Sequence, residues 1–404
     1  MFRYFFIIST GFLVHSNVAF AQPSSPAADG RLQYSRVLSN SFFGVTIGYI
    51  NYPFSQQQLE EGWQAGSVHV PHAALRITLF GHEFNKYLSA QISYMRPVDW
   101  VAYKNINGDN KNHTVWMNEV GLTAKMKSPG WKKFSLYAEG GIVLVTRRGF
   151  FINNSPVVRH ANFITASAGA GLQYHVNNKW AFIFNTVYSP AAAKYKQPHT
   201  VFYSAGFAYT MRPLAAETIR RNVSAGYIFP KSRLQVGYTT NSLGYGVNRA
   251  VSKDVPVFWG GEAKVKQGFS IHYQQNIFHT RKVFSFDWGA SFGYWQSRKN
   301  RNEFITLSLF PLLRFTVARM RSADLYLEYS VAGPTYISRT MVDDESTGKH
   351  FTFQDFMGIG FDAGKKRNIN AAIRIAHYSN GNIFPENTGI MIPLTFNIGW
   401  TFNK

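Results

Sequence analysis

The apolar residues of this chain alternate, and that alternation constrains its fold more than any other feature. Past the N-terminal region no run reaches the eighteen apolar residues that mark a membrane-spanning helix. Instead, segments of about ten residues carry an apolar side chain at every second position, the period of a strand with one apolar and one mixed face. Within Lys133–Val145, Phe134, Leu136, Ala138, Ile142 and Leu144 oppose Ser135, Tyr137, Glu139 and Gly141. A tilted strand of about ten residues is long enough to cross a bilayer.

Eight such segments follow in succession: Ser41–Tyr52, Pro71–Phe80, Tyr87–Met95, Thr114–Met126, Lys133–Val145, Phe163–Tyr174, Trp180–Tyr188 and Thr200–Met211. Their connections alternate in length. Pro53–Val70, Pro97–His113, Thr146–His160 and Ser189–His199 are long and polar, while Gly81–Asn85, Lys127–Lys132 and His175–Asn178 are short. Extracellular loops alternating with periplasmic turns produce this rhythm in an up-and-down barrel, so residues 41–211 are expected to close as one eight-stranded barrel.

Residues 212–254 break the pattern and read as a linker with an unassigned segment, in which Val223–Phe229 and Arg233–Thr239 are short strand-like pieces. Alternation resumes over 255–404. Eight strands are expected there: Pro256–Val265, Gly268–Ile277, Lys282–Trp295, Glu303–Ala318, Ala323–Thr335, His350–Asp362, Asn368–Asn380 and Gly389–Phe402, the first two separated only by Lys266-Gln267. The fold class is therefore all-β, a transmembrane antiparallel up-and-down barrel architecture, with two eight-stranded barrels in tandem favoured by the linker over one sixteen-stranded barrel.

Composition agrees. Aromatic residues make up 16% of the chain, and 35 phenylalanines outnumber 21 acidic residues, yet mean hydropathy is only −0.17. A barrel reconciles these numbers because its lipid-facing and lumen-facing residues average out. The net charge of +21 calls for an anionic partner. Residues 1–21, with Arg3, an apolar run from Phe5 to Val14 and Ala19-Phe20-Ala21, read as a secretory signal peptide, and residues 22–40 as a tether. For an exported chain of strands the partner is anionic lipid headgroups rather than nucleic acid. There is no cysteine, and no histidine spacing suggests metal ligation, so neither cofactor nor metal is expected. Asp343-Asp344-Glu345 reads as a solvated loop tip in preference to a cation site.

In the penultimate strand Ile369, Ala371, Ile373 and Ile375 alternate with Asn370, Ala372, Arg374 and Ala376, and His377 and Ser379 continue the apolar face. Side chains two apart on a strand stand on one side, about 7 Å apart at the backbone, and an imidazole beside a hydroxyl is the minimum equipment for nucleophilic acyl transfer. The string His377-Tyr378-Ser379-Asn380, followed by Asn387, Gly389 and Ile390, resembles the lipid A 3-O-deacylases. These are outer-membrane barrels that hydrolyse an ester-linked acyl chain of lipopolysaccharide, and only residues 255–404 fall within the resemblance. It implies Ser379 as nucleophile, His377 as general base and Asn380 as an oxyanion donor. The family's orienting glutamate follows its Gly-Ile pair, a position held here by Met391, leaving Glu386 or the amide of Asn382 to stand in.

Basic residues Arg298, Lys299 and Arg301, in an expected outer loop, are candidates to meet substrate phosphates. The motif would lie on the extracellular-leaflet side, with lipid A or lipopolysaccharide as partner and the barrel assembly machinery reading the aromatic C-terminal strand. The alternative is a non-enzymatic outer-membrane barrel (a pore, adhesin or structural protein) with a degenerate motif. The N-terminal barrel offers no catalytic set and reads as an anchor, channel or platform.

Overall fold

In the computed structural model, residues 30–254, 261–384 and 386–403 are described. The expected signal peptide and residues 22–29 of the tether lie outside them, as does the first half of the expected strand Pro256–Val265. The N-terminal barrel contains eight strands: β1 (Ser41–Asn51), β2 (Ala73–Glu83), β3 (Leu88–Pro97), β4 (Asp109–Lys127), β5 (Phe134–Arg148), β6 (Ala161–His175), β7 (Trp180–Ser189) and β8 (Thr200–Thr210). Each pairs antiparallel with its neighbour in sequence, and β1 pairs with β8 to close the ring. Closure matters because an unpaired strand edge in lipid would leave a row of backbone groups without partners. At the end that carries the long connections, short strands Ala65–His69 and Val101–Ile106 extend the wall beyond β4.

The second barrel is built in the same way from β9 (Ser232–Thr240), β10 (Ala263–His279), β11 (Phe284–Ser297), β12 (Glu303–Arg319), β13 (Ala323–Ile337), β14 (Phe351–Ala363), β15 (Ile369–Ser379) and β16 (Ile390–Phe402). β9 pairs with β16 to close it. Two separately closed rings replace the sixteen-stranded alternative. Lys266-Gln267 does not divide two strands but lies inside β10, and the missing eighth strand is β9, drawn from the stretch left unassigned. Val223–Phe229 is not a strand: helix α1 (Ala216–Val223) runs into turns there.

The reason β9 is hard to read is that its interior face is polar. Leu234, Val236 and Tyr238 point outward, whereas Arg233, Gln235 and Thr239 point into the lumen. Their partners come from strands remote in sequence. Arg233 reaches Asp362 at 2.8 Å and Asp287 at 3.3 Å; Arg314 pairs with Asp287 and, at 3.2 Å, with Glu328; Arg374 contacts Glu328 at 2.5 Å. Charges removed from water must be paired, and this chain of guanidinium and carboxylate groups fills the lumen. The N-terminal barrel repeats the device on a smaller scale with Arg76 and Glu139. A cavity beside Arg76 holds about 20 Å³, room for a water molecule rather than a solute.

The two faces predict opposite sensitivities. Glu328→Ala leaves the buried Arg374 without its carboxylate and takes one of two from Arg314, and is expected to cost about 3–5 kcal/mol in urea unfolding of the reconstituted protein. Ile398→Arg places charge on the lipid-facing side of β16 and is expected to cost about 2–4 kcal/mol near the mid-plane.

Candidate functional site

β15 carries the His-x-Ser pair at its last turn of pleat, and its register with β14 is uninterrupted. Phe353 lies opposite Ser379, Asp355 opposite His377, Met357 opposite Ile375 and Ile359 opposite Ile373. All of these are exterior positions, so His377 and Ser379 point away from the lumen. Tyr378 between them points inward, where its hydroxyl meets Thr306 at 3.1 Å and Gln354 at 3.0 Å.

On the other side the register shifts. Arg374 pairs with Thr395 but Ala376 pairs with Ile392, so β16 carries one extra residue in a bulge beside Pro393. Proline has no N–H for the ladder and is accommodated at such a bulge. The shift turns Ile390 and Ile392 toward the lumen and Met391 to the exterior, directly opposite His377. Strict alternation along the last strand, with Ile390, Ile392 and Phe396 on one face, is therefore interrupted at Pro393.

The exterior stripe of β15 changes character along its length. Ile369 and Ile373 are 46% and 42% exposed, as lipid-facing residues should be, but Ile375 is 3% and His377 1% exposed. Met391, beside His377, is 5% exposed. Helix α2 (Gly246–Asp254) packs against β15 and β16 at this end. Asn248 Nδ2 donates to the Ile392 carbonyl at 2.9 Å, and Val251 packs with the apolar cluster that includes Ile375 and Ile392. α2 thus packs beside the buried Ile375 and Ile392, next to His377 in the same strands, while Ser379 is half-buried.

The carboxylate that the structure brings to His377 is Asp355, not Glu386. Asp355 Oδ2 lies 3.8 Å from His377 Nδ1, and Asp355 Oδ1 accepts the Ala332 backbone N–H at 2.5 Å. Ala332 has a φ of 54° and sits where the β13–β14 register shifts between Ser330 and Gly333. The bulge turns a backbone donor onto the carboxylate. At 3.8 Å the carboxylate stands beside the imidazole at more than hydrogen-bond distance. Asp355 was legible in the sequence as the one acid in the otherwise apolar series Phe351, Phe353, Met357, Ile359 and Phe361.

Glu386 is occupied elsewhere: its carboxylate accepts from Ser346 Oγ in the β13–β14 connection. Asn380, expected as an oxyanion donor, spends its two amide hydrogens on the carbonyls of Thr347 at 3.2 Å and Glu386 at 2.5 Å, and its backbone N–H on Asn387 Oδ1 at 2.7 Å. It is the buckle of the loop after β15. Asn382 receives Asn387 Nδ2 at 2.8 Å. Gly381 and Asn382 both adopt left-handed backbone, with φ of 63° and 57°, where glycine and asparagine are most readily accommodated.

Arg298, Lys299 and Arg301 lie together in the exposed β11–β12 connection. Lys299 Nζ is 2.9 Å from Asp344, and the Arg298 guanidinium lies over the Tyr245 ring at 5.8 Å. The acidic run is a clasp. Asp343 Oδ1 accepts the backbone N–H groups of Lys299 at 3.1 Å and Asn300 at 2.9 Å. Burial raises the Asp343 carboxyl, but these backbone donors prevail and hold it below the ordinary aspartate range. No cluster of three or more metal-ligating side chains occurs among the described residues. A depressed carboxylate stabilises the folded clasp above its unfolded pKa, and that contribution is lost as pH falls through the folded value. Hydrogen exchange should find the Lys299 and Asn300 amides protected at neutral pH, released only below the ordinary aspartate range, and released at neutral pH in Asp343→Ala.

The lipid A 3-O-deacylase (PagL) family matches residues 267–400, and the OmpA-like transmembrane domain matches residues 40–212. No curated protein matches the chain. Among solved structures, the outer-membrane enzyme PagL is 17% identical over 42% of this chain and 98% of its own, with a TM-score of 0.29. Neisserial surface protein A is 11% identical over 43% and 97%, with a TM-score of 0.28. The N-terminal barrel of Pseudomonas aeruginosa OprF is 15% identical over 42% and 98%, with a TM-score of 0.28. The chain is an outer-membrane β-barrel protein of two barrels, the second carrying the deacylase-type match.

Proposed function

We propose, from a C-terminal barrel that matches the lipid A 3-O-deacylase family over residues 267–400, that this protein hydrolyses an ester-linked acyl chain of lipid A. The observation that carries the reading is the placement of His377, Ser379 and Asp355 on the exterior of adjacent strands, near the end with the long loops. An acid and an imidazole in a register meant for lipid are costly there and call for a functional reason. The long-loop end faces the cell exterior, so the site sits at the headgroup level of the outer leaflet. An ester at the boundary between sugar and acyl chain reaches Ser379 by lateral diffusion.

In the proposed reaction Ser379 Oγ attacks the ester carbonyl while His377 takes its proton. The sugar hydroxyl leaves with that proton, and a water activated by His377 then releases the fatty acid and restores the serine. Asp355, anchored by Ala332, holds the imidazole and stabilises its charged form, the task that a glutamate at the position of Met391 would perform from the opposite strand. Burial of the imidazole strengthens that pairing. Arg298 and Arg301 meet the phosphates, with Lys299 shared with Asp344. The paired charges filling both lumens favour this reading over a pore.

Mass spectrometry of lipid A from cells making the wild type should find one acyl mass lost, and none lost with Ser379→Ala despite intact heat-modifiable folding. Unchanged lipid A with both would move the weight to a non-enzymatic barrel. Asp355→Asn is expected to lower kcat by about 10³–10⁴-fold, whereas Glu386→Gln should have little effect. Met391→Glu in the Asp355→Asn background returns a carboxylate to the far side of His377 and should restore part of the rate.

A further inference from the structure

The loop that follows Ser379 does not end its contacts within its own barrel. On the N-terminal barrel, Asn118 of β4, Thr146 of β5 and Asn162 of β6 stand directly opposite one another across three adjacent strands. Alternation places this row on the exterior: Met117, Val145 and Phe163 beside it are interior and buried, and Leu122, Ile142 and Ile164 continue the exterior face as exposed apolar residues. Polar side chains in that register would face lipid, yet Asn118 and Thr146 are buried. They are covered by the second barrel. Asn118 Nδ2 donates to the Asn382 carbonyl at 3.1 Å, Thr146 Oγ1 donates to the Ile383 carbonyl at 2.9 Å, and Asn162 Nδ2 donates both to the Ile383 carbonyl and, at 3.0 Å, to Thr146 Oγ1.

From that grip the bonding runs on to the candidate nucleophile. Asn382 Oδ1 accepts from Asn387 Nδ2, and Asn387 Oδ1 accepts the backbone N–H of Asn380, the residue after Ser379. Ile383 N–H closes the turn onto the Asn380 carbonyl at 3.1 Å. Left-handed Gly381 and Asn382 expose the two carbonyls that the first barrel binds. From beneath, Gly348 of the β13–β14 connection packs so closely that a Cβ there would lie 2.6 Å from the Glu386 carbonyl oxygen. The loop is therefore held from two sides, by its own barrel and by the wall of its neighbour.

We propose that the exterior row Asn118, Thr146 and Asn162 is a docking face of the N-terminal barrel for the loop segment 381–384, and that its three residues are positioning residues for Ser379. This rests on the hydrolase reading above for its catalytic consequence, but not for the docking itself. It assigns the N-terminal barrel a task that its lack of a catalytic set left open: it is the second wall against which the active-site loop is set. The contacts are neutral hydrogen bonds to backbone carbonyls, so they fix the path of the chain without depending on side chains at 382 or 383. A displacement of about 1 Å at a reacting group is enough to cost about 100-fold in rate.

The test is the full-length triple variant Asn118→Leu, Thr146→Val, Asn162→Leu, whose apolar side chains suit a lipid-facing strand and should leave the barrel folded by heat modifiability. Two readouts are taken in reconstituted bilayers: cleavage after Glu386 by a glutamate-specific protease, and deacylation of lipid A resolved into kcat and KM. The expected result is faster cleavage together with a fall in kcat of about 10- to 100-fold at nearly unchanged KM. Thr146→Ser, which keeps the hydroxyl, should behave as the wild type in both. Cleavage unchanged in the triple variant overturns the docking. Faster cleavage with unchanged kcat overturns the positioning role. If the wild type itself releases no fatty acid, the hydrolase reading fails and the positioning role with it, while the protease result alone decides the docking.

Discussion

Closure of each barrel pairs the backbone of every strand within the wall, and in doing so divides the side chains into two populations that cannot mix. A strand in lipid must send apolar groups outward and can send polar ones only inward. β1 with β8 and β9 with β16 complete the two rings, so the rule holds around the whole circumference. That division makes a polar side chain in the exterior register an anomaly that needs a partner.

Among the described residues, two groups at the long-loop end run against the rule. On the second barrel, Asp355 and His377 occupy exterior positions on adjacent strands, and the imidazole is buried rather than left to lipid. On the first barrel, Asn118, Thr146 and Asn162 form an exterior polar row, and the loop after Ser379 covers it. Both exceptions converge on the same stretch of chain. Two of the bulges in the walls act on the same stretch: the one at Pro393 turns Met391 outward, and the one at Ala332 aims a backbone N–H at Asp355.

The lumens obey the opposite logic. Arg233, Arg314 and Arg374 interleave with Asp287, Glu328 and Asp362, leaving a rigid ionic core where a channel would need open space. Such pairs contribute little net stability against apolar packing, but each partner is strongly needed once the other is present. A stiff post of this kind suits a site on its outer wall, since a pair of side chains on neighbouring strands keeps its spacing only if the strands do not shear.

Much of this was written in local pattern. Period two, the alternation of long and short connections and the absence of an eighteen-residue apolar run determined by themselves that the chain crosses a membrane as strands, and they located all eight strands of the first barrel and seven of the second. The string from His377 to Ile390 pointed to the deacylase family whose model matches residues 267–400. Other features depend on which strands lie side by side. β9 looks unlike a strand of a barrel until Asp287, Asp362 and Arg374, far along the chain, are brought to its polar face. Strict alternation puts Ile390 outward, and only the pairing with β15 reveals the extra residue at Pro393 that reverses it. Glu386 lies nearer to His377 in sequence than Asp355 does, yet strand pairing, not sequence distance, sets which carboxylate faces the imidazole. The grip of one barrel on the other's loop joins residues more than two hundred positions apart. A hydrogen bond of that span leaves no periodicity behind, and so only the folded chain discloses it.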